Sequence, residues 1–126
     1  MCNGLNNCNC LATLLENILI LQGNNNINYL GCDRPMLGSL PTIANTRPVN
    51  LYNCCTGEIW TMPYTLGEST GTSTFFRIEN VNDNCATFRI LVQNDTGYTS
   101  TNNFFTINLK CISSIKCLGD VLIAGL

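Results

Sequence analysis

The stretch that decides the fold reads FFRIENVNDNCATFRILV and covers residues 75–92. Apolar and polar residues alternate in each half of it, which is the pattern of a β-strand with one buried face. Between the halves, residues 82–84 read Asn-Asp-Asn, a composition typical of turns. A three-residue turn at this point pairs Val81 with Cys85 and predicts an antiparallel hairpin.

This register divides the side chains of the hairpin between two faces. On one face, Phe76 is predicted to lie opposite Ile90. Two positions further along, Ile78 is predicted to lie opposite Phe88, so this face is apolar and suited to burial. We interpret the other face as a solvated sheet surface rather than a binding site, with a glutamate–arginine contact offsetting the repulsion between two arginines. Its residues are Arg77, Glu79, Thr87 and Arg89.

Other short segments of β-branched and aromatic residues, bounded by turn formers, predict further strands. Together with the hairpin they indicate a mainly β protein, an antiparallel β-sandwich or jelly roll. The apolar tail, residues 121–126, is either a last core strand or an exposed strand that pairs with a neighbouring subunit. The predicted strands cover residues 27–30, 49–52, 58–62, 74–81, 85–93 and 104–110.

One helix is predicted ahead of the strands, because apolar residues recur there at helical spacing. We therefore divide the chain into a cysteine-rich N-terminal arm, residues 1–10, and a single domain, residues 11–126. Within the domain, an amphipathic helix over residues 11–22 is followed by a β-sandwich over residues 27–126. The residues of the apolar stripe are Leu11, Leu14, Leu15, Ile18 and Leu19.

Charged residues make up 11% of the chain, against about 25% in typical domains, and the formal net charge is −2. So little charge weakens the repulsion between copies and favours their association. The six basic residues are scattered rather than gathered in a stripe, which argues against nucleic acid as a partner. Residues 11–21 are too few and too polar to span a bilayer, and residues 1–5 do not resemble the start of a secretory signal. We expect neither a membrane partner nor a signal peptide.

The nine cysteines are the residues on which a prediction of function depends. A structural zinc site needs four cysteine or histidine ligands, usually in closely spaced pairs, and this chain has no histidine and no C-x-x-C pair. A catalytic thiol needs a partner that lowers its pKa, most often histidine. Cys8 and Cys10 precede the predicted helix, whose dipole favours the thiolate and so its oxidation into cross-links. We expect no enzyme activity, no cofactor, no metal and no small-molecule substrate.

An odd number of cysteines leaves at least one thiol either free or paired between chains. Cys54 and Cys55 are neighbours, and a bridge between them closes a strained ring. Adjacent residues of an extended chain point to opposite faces, so the two thiols suit two different partners. Residues 54–57 are predicted to form a hairpin loop that exposes both thiols. These features favour cross-linking between molecules.

We expect the cysteines to fall into two groups. Candidates for disulfides between subunits lie on the arm or at the predicted loop tip, and they are Cys2, Cys8, Cys10, Cys54 and Cys55. Candidates for internal disulfides or free thiols are the remaining four, Cys32, Cys85, Cys111 and Cys117.

Four stretches of the chain follow one another in a characteristic order. NCNC at residues 7–10 leads into the predicted helix, and IANTRP at residues 43–48 is followed by Leu51 and Tyr52. The hairpin comes next, and TINLKCISSIKCL ends the series at residues 106–118. In sequence and order these stretches resemble the spore coat protein Y/Z family of spore-forming bacteria, over nearly the whole chain.

The resemblance implies a protein made in the mother cell that assembles on the forespore surface, in the coat or the exosporium. It implies ordered arrays locked by intermolecular disulfides, with copies of the chain and other spore coat or exosporium proteins as partners. Lysis of the mother cell then exposes the layer to oxidising surroundings without a secretion step. Three alternatives stay open: a disulfide-linked spore surface filament or appendage, a binding module bridged within one chain, and a metal-thiolate protein.

Overall fold

The apolar stripe that starts at Leu11 forms α1, Cys10–Gly23, in the computed structural model of the protein, which describes residues 10–23 and 44–126. The predicted helix is therefore confirmed. Leu15 and Ile18 are fully buried, whereas Leu14 of the same stripe is 37% exposed. The arm up to residue 9 and the predicted strand 27–30 lie outside the described residues.

Residues 44–126 form seven strands that all pair antiparallel, so the predicted mainly β, antiparallel fold is confirmed. They are β1 (Val49–Asn53), β2 (Met62–Leu66), β3 (Ser69–Ser73), β4 (Phe75–Asn82), β5 (Cys85–Asn94), β6 (Gly97–Asn108) and β7 (Ile112–Cys117). Five of them form one sheet in the order β6-β5-β4-β1-β7, and β2 and β3 form a separate hairpin.

The five-stranded sheet is strongly curled. Its edge strands, β6 and β7, would be about 19 Å apart in a flat sheet. Yet β7 begins four residues after β6 ends, and that link, which contains a 3₁₀ helix at Leu109–Cys111, spans at most about 14 Å even when extended. The bend lies between β4 and β1, which share a single residue pair, Val49 with Phe76. The two halves of the sheet therefore face each other in a sandwich-like arrangement.

The core lies between α1 and the β4–β5 hairpin. Phe76, Ile78 and Phe88 are fully buried and Ile90 is nearly so, which confirms the predicted apolar face. Phe105 of β6 packs against them, with its ring centroid 4.9 Å from that of Phe76. The buried side chains of α1 belong to the same cluster. Burial of these large side chains is the main source of stability.

A buried glutamine fixes α1 to the sheet. The Nε2 atom of Gln22 donates a hydrogen bond to the carbonyl oxygen of Ile78, at 2.9 Å. The Oε1 atom of the same side chain accepts a hydrogen bond from the backbone N–H of Arg47, at 3.1 Å. Both ends of the amide are thus satisfied, as a buried polar group requires.

The predicted register of the hairpin is confirmed in its first half and is wrong near the turn. Val81 pairs with Ala86 rather than with Cys85. The shift arises at a β-bulge, where the ladder passes over Glu79. The turn therefore has two central residues instead of three, and Asp83 there adopts a left-handed φ of 54°.

Some predicted strand boundaries are also wrong. The strand predicted at residues 58–62 is only an isolated bridge at Ile59, and the regular strand β2 begins at the last of these residues, Met62. Residues 104–110 are the second half of the longer β6, and the last of them turn into the 3₁₀ helix. Neither β3 nor β7 is predicted. The sequence of β3, STGTS, contains no apolar residue, and in β7, ISSIKC, apolar and polar residues do not alternate regularly.

The apolar tail, residues 121–126, packs against the segment that precedes β1. Val121 forms a bridge with Thr46, and Ile123 is buried. The tail is therefore part of the core at Ile123, but its contact with the segment before β1 is a single bridge rather than a regular strand, and Leu122 is 64% exposed.

Candidate functional site

The cysteine pair Cys54–Cys55 lies in a tight turn directly after β1. The Oδ1 atom of Asn53 accepts hydrogen bonds from the N–H groups of Cys55, at 2.7 Å, and Thr56, at 3.2 Å. Gly57 closes the turn with a hydrogen bond to the carbonyl oxygen of Asn53, at 2.8 Å. Its φ of 76° is one that glycine adopts without a steric cost. The sequence therefore builds a defined turn with both cysteines exposed, as predicted.

The two thiols of this turn lie side by side. Their Sγ atoms are 3.7 Å apart, within hydrogen-bonding distance for sulfur. The prediction that adjacent cysteines point to opposite faces is wrong here, because the alternation it assumed belongs to extended chain and these residues are in a turn.

The pKa of the Cys54 thiol is raised above its usual value. The main cause is the hydrogen bond with Cys55, followed by desolvation and by the like charges that Cys55 and Cys111 carry when ionised. At neutral pH, Cys54 is therefore less ionised than an ordinary exposed cysteine.

Two further cysteines lie at the same end of the domain. The backbone N–H of Cys54 donates a 2.8 Å hydrogen bond to the carbonyl oxygen of Cys111, which ends the 3₁₀ helix. At the start of that helix, the N–H of Leu109 donates to the carbonyl oxygen of Asn84, at 2.7 Å, next to Cys85. We call the exposed set Cys54, Cys55, Cys85 and Cys111 the cysteine end.

The remaining described cysteines lie elsewhere. Cys117 ends β7 opposite Val49, and although it is exposed, desolvation raises the pKa of its thiol. Cys10 is exposed at the start of α1. The division into sulfurs that bridge subunits and sulfurs that stay internal or free remains a prediction. Three of the cysteines, Cys2, Cys8 and Cys32, lie outside the described residues.

Within residues 10–23 and 44–126, no group of three or more cysteine or acidic side chains is placed to hold a metal ion. In the same part of the chain, no helix is long and apolar enough to cross a membrane.

A polar network fixes the tail, and its role was not predicted from the sequence. The Oδ1 and Nδ2 atoms of the buried Asn45 side chain hydrogen-bond to the N–H and the carbonyl oxygen of Ile123, at 3.0 and 2.9 Å. Two residues on, Arg47 makes a two-pronged ion pair with Asp120, at 2.6 and 2.8 Å. The stretch IANTRP thus has a structural role, because it ties the C-terminal segment to the sheet.

The charged face of the hairpin continues this network, so the interpretation of that face as a solvated surface is wrong. The Oε2 atom of Glu79 accepts hydrogen bonds from Arg77, at 2.7 Å, and from Arg89, at 2.9 Å. The remaining donors of Arg77 bind the carbonyl oxygen of Asn45 and the hydroxyl of Thr46, both at 2.9 Å. The predicted contact between Glu79 and Arg89 is confirmed, and the three charged side chains are mostly buried.

We expect the substitution Asn45→Ala to lower the free energy of unfolding by about 1–3 kcal/mol, since it leaves the buried polar groups of Ile123 without partners. The measurement is urea unfolding in the presence of reductant. The matched control is Asn80→Ala, at an exposed position of β4, where a change within about 0.5 kcal/mol is expected. Equal effects of the two substitutions would mean that Asn45 does not hold the tail.

Comparison with known proteins gives a family match that covers the first three of the four stretches quoted above and ends before residues 106–118. A family model described as spore coat protein Z matches residues 2–102, a range that includes α1, the Cys54–Cys55 turn and the β4–β5 hairpin. No curated protein and no solved structure gives a significant match. Because the family match extends over most of its residues, the chain belongs to the spore coat protein Z family.

Proposed function

We propose that the chain is a self-assembling protein of the endospore outer layer, coat or exosporium, whose cysteines join separate molecules into a disulfide-cross-linked array. Membership of the spore coat family supports a structural role at the spore surface. The proposed partners are copies of the chain and other coat or exosporium proteins, and we propose no catalytic activity.

The observation that carries this proposal is the cysteine end. Four exposed thiols lie there on a frame held by backbone hydrogen bonds between β1, the 3₁₀ helix and the start of β5. A cross-link to this frame requires a partner molecule to bring the Cα atom of its own cysteine to within about 4.4–6.8 Å of one of these residues. The low charge of the chain, with 11% charged residues, reduces the repulsion that such a contact has to overcome.

Assembly then has two steps. Apolar and amide-rich surfaces first bring subunits into register without covalent bonds. Oxidation next joins cysteines of the arm and of the Cys54–Cys55 turn across subunit boundaries, and each bridge adds about 2–4 kcal/mol by restricting the dissociated chains. Repeated across an array, these bridges make dissociation very slow.

The test is to purify the full chain in reductant, remove the reductant, and image the product by electron microscopy. We expect ordered assemblies that, once their free thiols have been alkylated, survive hot detergent unless a thiol reagent is added. Sheets support the array, fibres support the alternative of a filament subunit, and single particles that run as monomers would contradict both.

The variant Cys54→Ser/Cys55→Ser is expected to lower the detergent-resistant fraction several-fold, because it removes both thiols of the exposed turn. The matched control, Cys117→Ser, also removes an exposed thiol but lies at the far end of β7, and it should retain most of that fraction. If both variants behave like the unaltered chain, the cysteine end is not the site of cross-linking.

A further inference from the structure

We propose that Cys54 and Cys55 form a thiol–disulfide exchange pair, which lets a cross-link made at this turn be released and remade without an added reductant. The inference rests on the proposed cross-linking and concerns the chemistry of one junction. It predicts that bridges at this turn are reversible, whereas a bridge at an isolated thiol such as Cys117 needs an external thiol to break it.

Proximity of the two sulfurs carries the inference. The Sγ–Sγ distance of 3.7 Å is a contact distance, so when one sulfur is bonded to another molecule the second is already beside it. Within residues 10–23 and 44–126, this is the pair of thiols that lies within hydrogen-bonding distance. A neighbouring thiol attacks far more often than one that must diffuse to the bond.

The backbone keeps the sulfurs together. Hydrogen bonds to Asn53 and to the carbonyl oxygen of Cys111 fix the N–H groups of both cysteines. The turn therefore holds its shape whether the sulfurs are thiols or part of a bridge to another molecule.

The exchange step needs no oxidant. Starting from a disulfide between Cys55 and a second molecule, the thiolate of Cys54 attacks the Sγ atom of Cys55. A bond forms between the two neighbouring sulfurs and the bond to the second molecule breaks. That molecule leaves as a thiolate and takes up the proton that Cys54 lost, so one disulfide and one thiol remain.

The new bridge is itself short-lived. Adjacent Cα atoms are about 3.8 Å apart, closer than the range in which disulfides are relaxed. A thiolate of an incoming molecule therefore reopens the ring readily and restores a bridge between molecules.

The experiment treats the reduced full chain with an aromatic disulfide reagent, dithiobisnitrobenzoate, then alkylates the remaining thiols and cleaves on the amino side of aspartate. This cleavage yields a fragment of residues 33–82 that contains Cys54 and Cys55 and no other cysteine. Mass spectrometry then reads whether the fragment carries the nitrobenzoate group, an internal disulfide, or neither.

We expect fragment 33–82 to carry an internal disulfide and no nitrobenzoate, because the second sulfur displaces the group bound to the first. The variants Cys54→Ser and Cys55→Ser should instead keep the adduct, with half the release of nitrobenzoate thiolate from this fragment. Cys117 in fragment 95–119 is the internal control, since it ends β7, away from the Cys54–Cys55 turn, and should keep its adduct.

A fragment 33–82 that keeps one or two nitrobenzoate groups in the unaltered chain would overturn the exchange pair. That result would leave the proposed cross-linking intact, because the imaging and detergent experiments test it separately. The opposite outcome also separates the two proposals. If fragment 33–82 carries the internal disulfide but the protein runs as monomers in detergent, the exchange pair is supported and the cross-linked array is contradicted.

Discussion

Replacing Phe88 with alanine is expected to lower the free energy of unfolding by about 3–5 kcal/mol. Phe88 is fully buried, and its ring stacks on that of Phe105 with centroids 5.5 Å apart. The ring of Phe76 lies 6.2 Å from that of Phe88 and 4.9 Å from that of Phe105, so the three rings pack together. Truncation removes these contacts and leaves a cavity in a close-packed core. Since the free energy of unfolding of such domains is about 5–15 kcal/mol, this substitution removes a large fraction of it.

The matched control for this prediction is Phe104→Ala. Phe104 is 48% exposed on β6 and contacts Arg89 through its ring face, at 4.4 Å from the ring centroid. Its loss should cost about 0.5–1 kcal/mol. Urea unfolding of the reduced variants measures both effects. If the two substitutions destabilise the protein equally, the core does not lie where the hairpin register places it.

The second large effect is expected for Glu79→Gln, which should lower the free energy of unfolding by roughly 2–3 kcal/mol. One oxygen of Glu79 binds both Arg77 and Arg89, which face each other across β4 and β5. Without the carboxylate, two mostly buried guanidinium groups oppose each other with no counter-ion between them. The effect is smaller than for a completely buried ion pair because some solvent still reaches these side chains.

Two comparisons make the test of Glu79 specific. Glu68→Gln, in the exposed turn between β2 and β3, should change stability by no more than about 0.5 kcal/mol. Adding Arg89→Gln to Glu79→Gln should recover part of the loss, since it removes one of the opposed charges. If Glu79→Gln is as mild as Glu68→Gln, the charged cluster does not stabilise the hairpin.

The parts of the fold that could be predicted from sequence are those in which a pattern repeats. Alternation in β4 and β5 predicted the buried face correctly, and the spacing of leucines predicted α1. The bulge at Glu79 could not be predicted, because it shifts the pairing without breaking the alternation on either side of it. β3 and β7 were missed because their residues are mostly small or polar, and such strands form only when a neighbouring strand offers its hydrogen bonds.

In the candidate site, as in the fold, local features could be predicted from the sequence and contacts between distant residues could not. Turn-forming neighbours of Cys54 and Cys55 predicted an exposed tip, which the structure confirms. The approach of Cys111 to that tip, where its carbonyl oxygen accepts from the N–H of Cys54, depends on how the sheet curls, and no local pattern encodes that curvature. The hydrogen bonds of the buried Asn45 side chain could not be predicted either, because its partner Ile123 lies 78 residues away in the chain.

The most direct test of cross-linking uses an equal mixture of unlabelled chains and chains labelled with heavy nitrogen, which are mixed in reductant and then oxidised together. After cleavage without reductant, mass spectrometry reads the isotopes of both peptides in each disulfide-linked pair. We predict that pairs containing fragment 33–82 combine light with heavy peptides as often as the two uniform combinations together, which requires sulfurs from different molecules. Linked pairs that are always both light or both heavy would contradict the proposal, because every bridge would then lie within one chain.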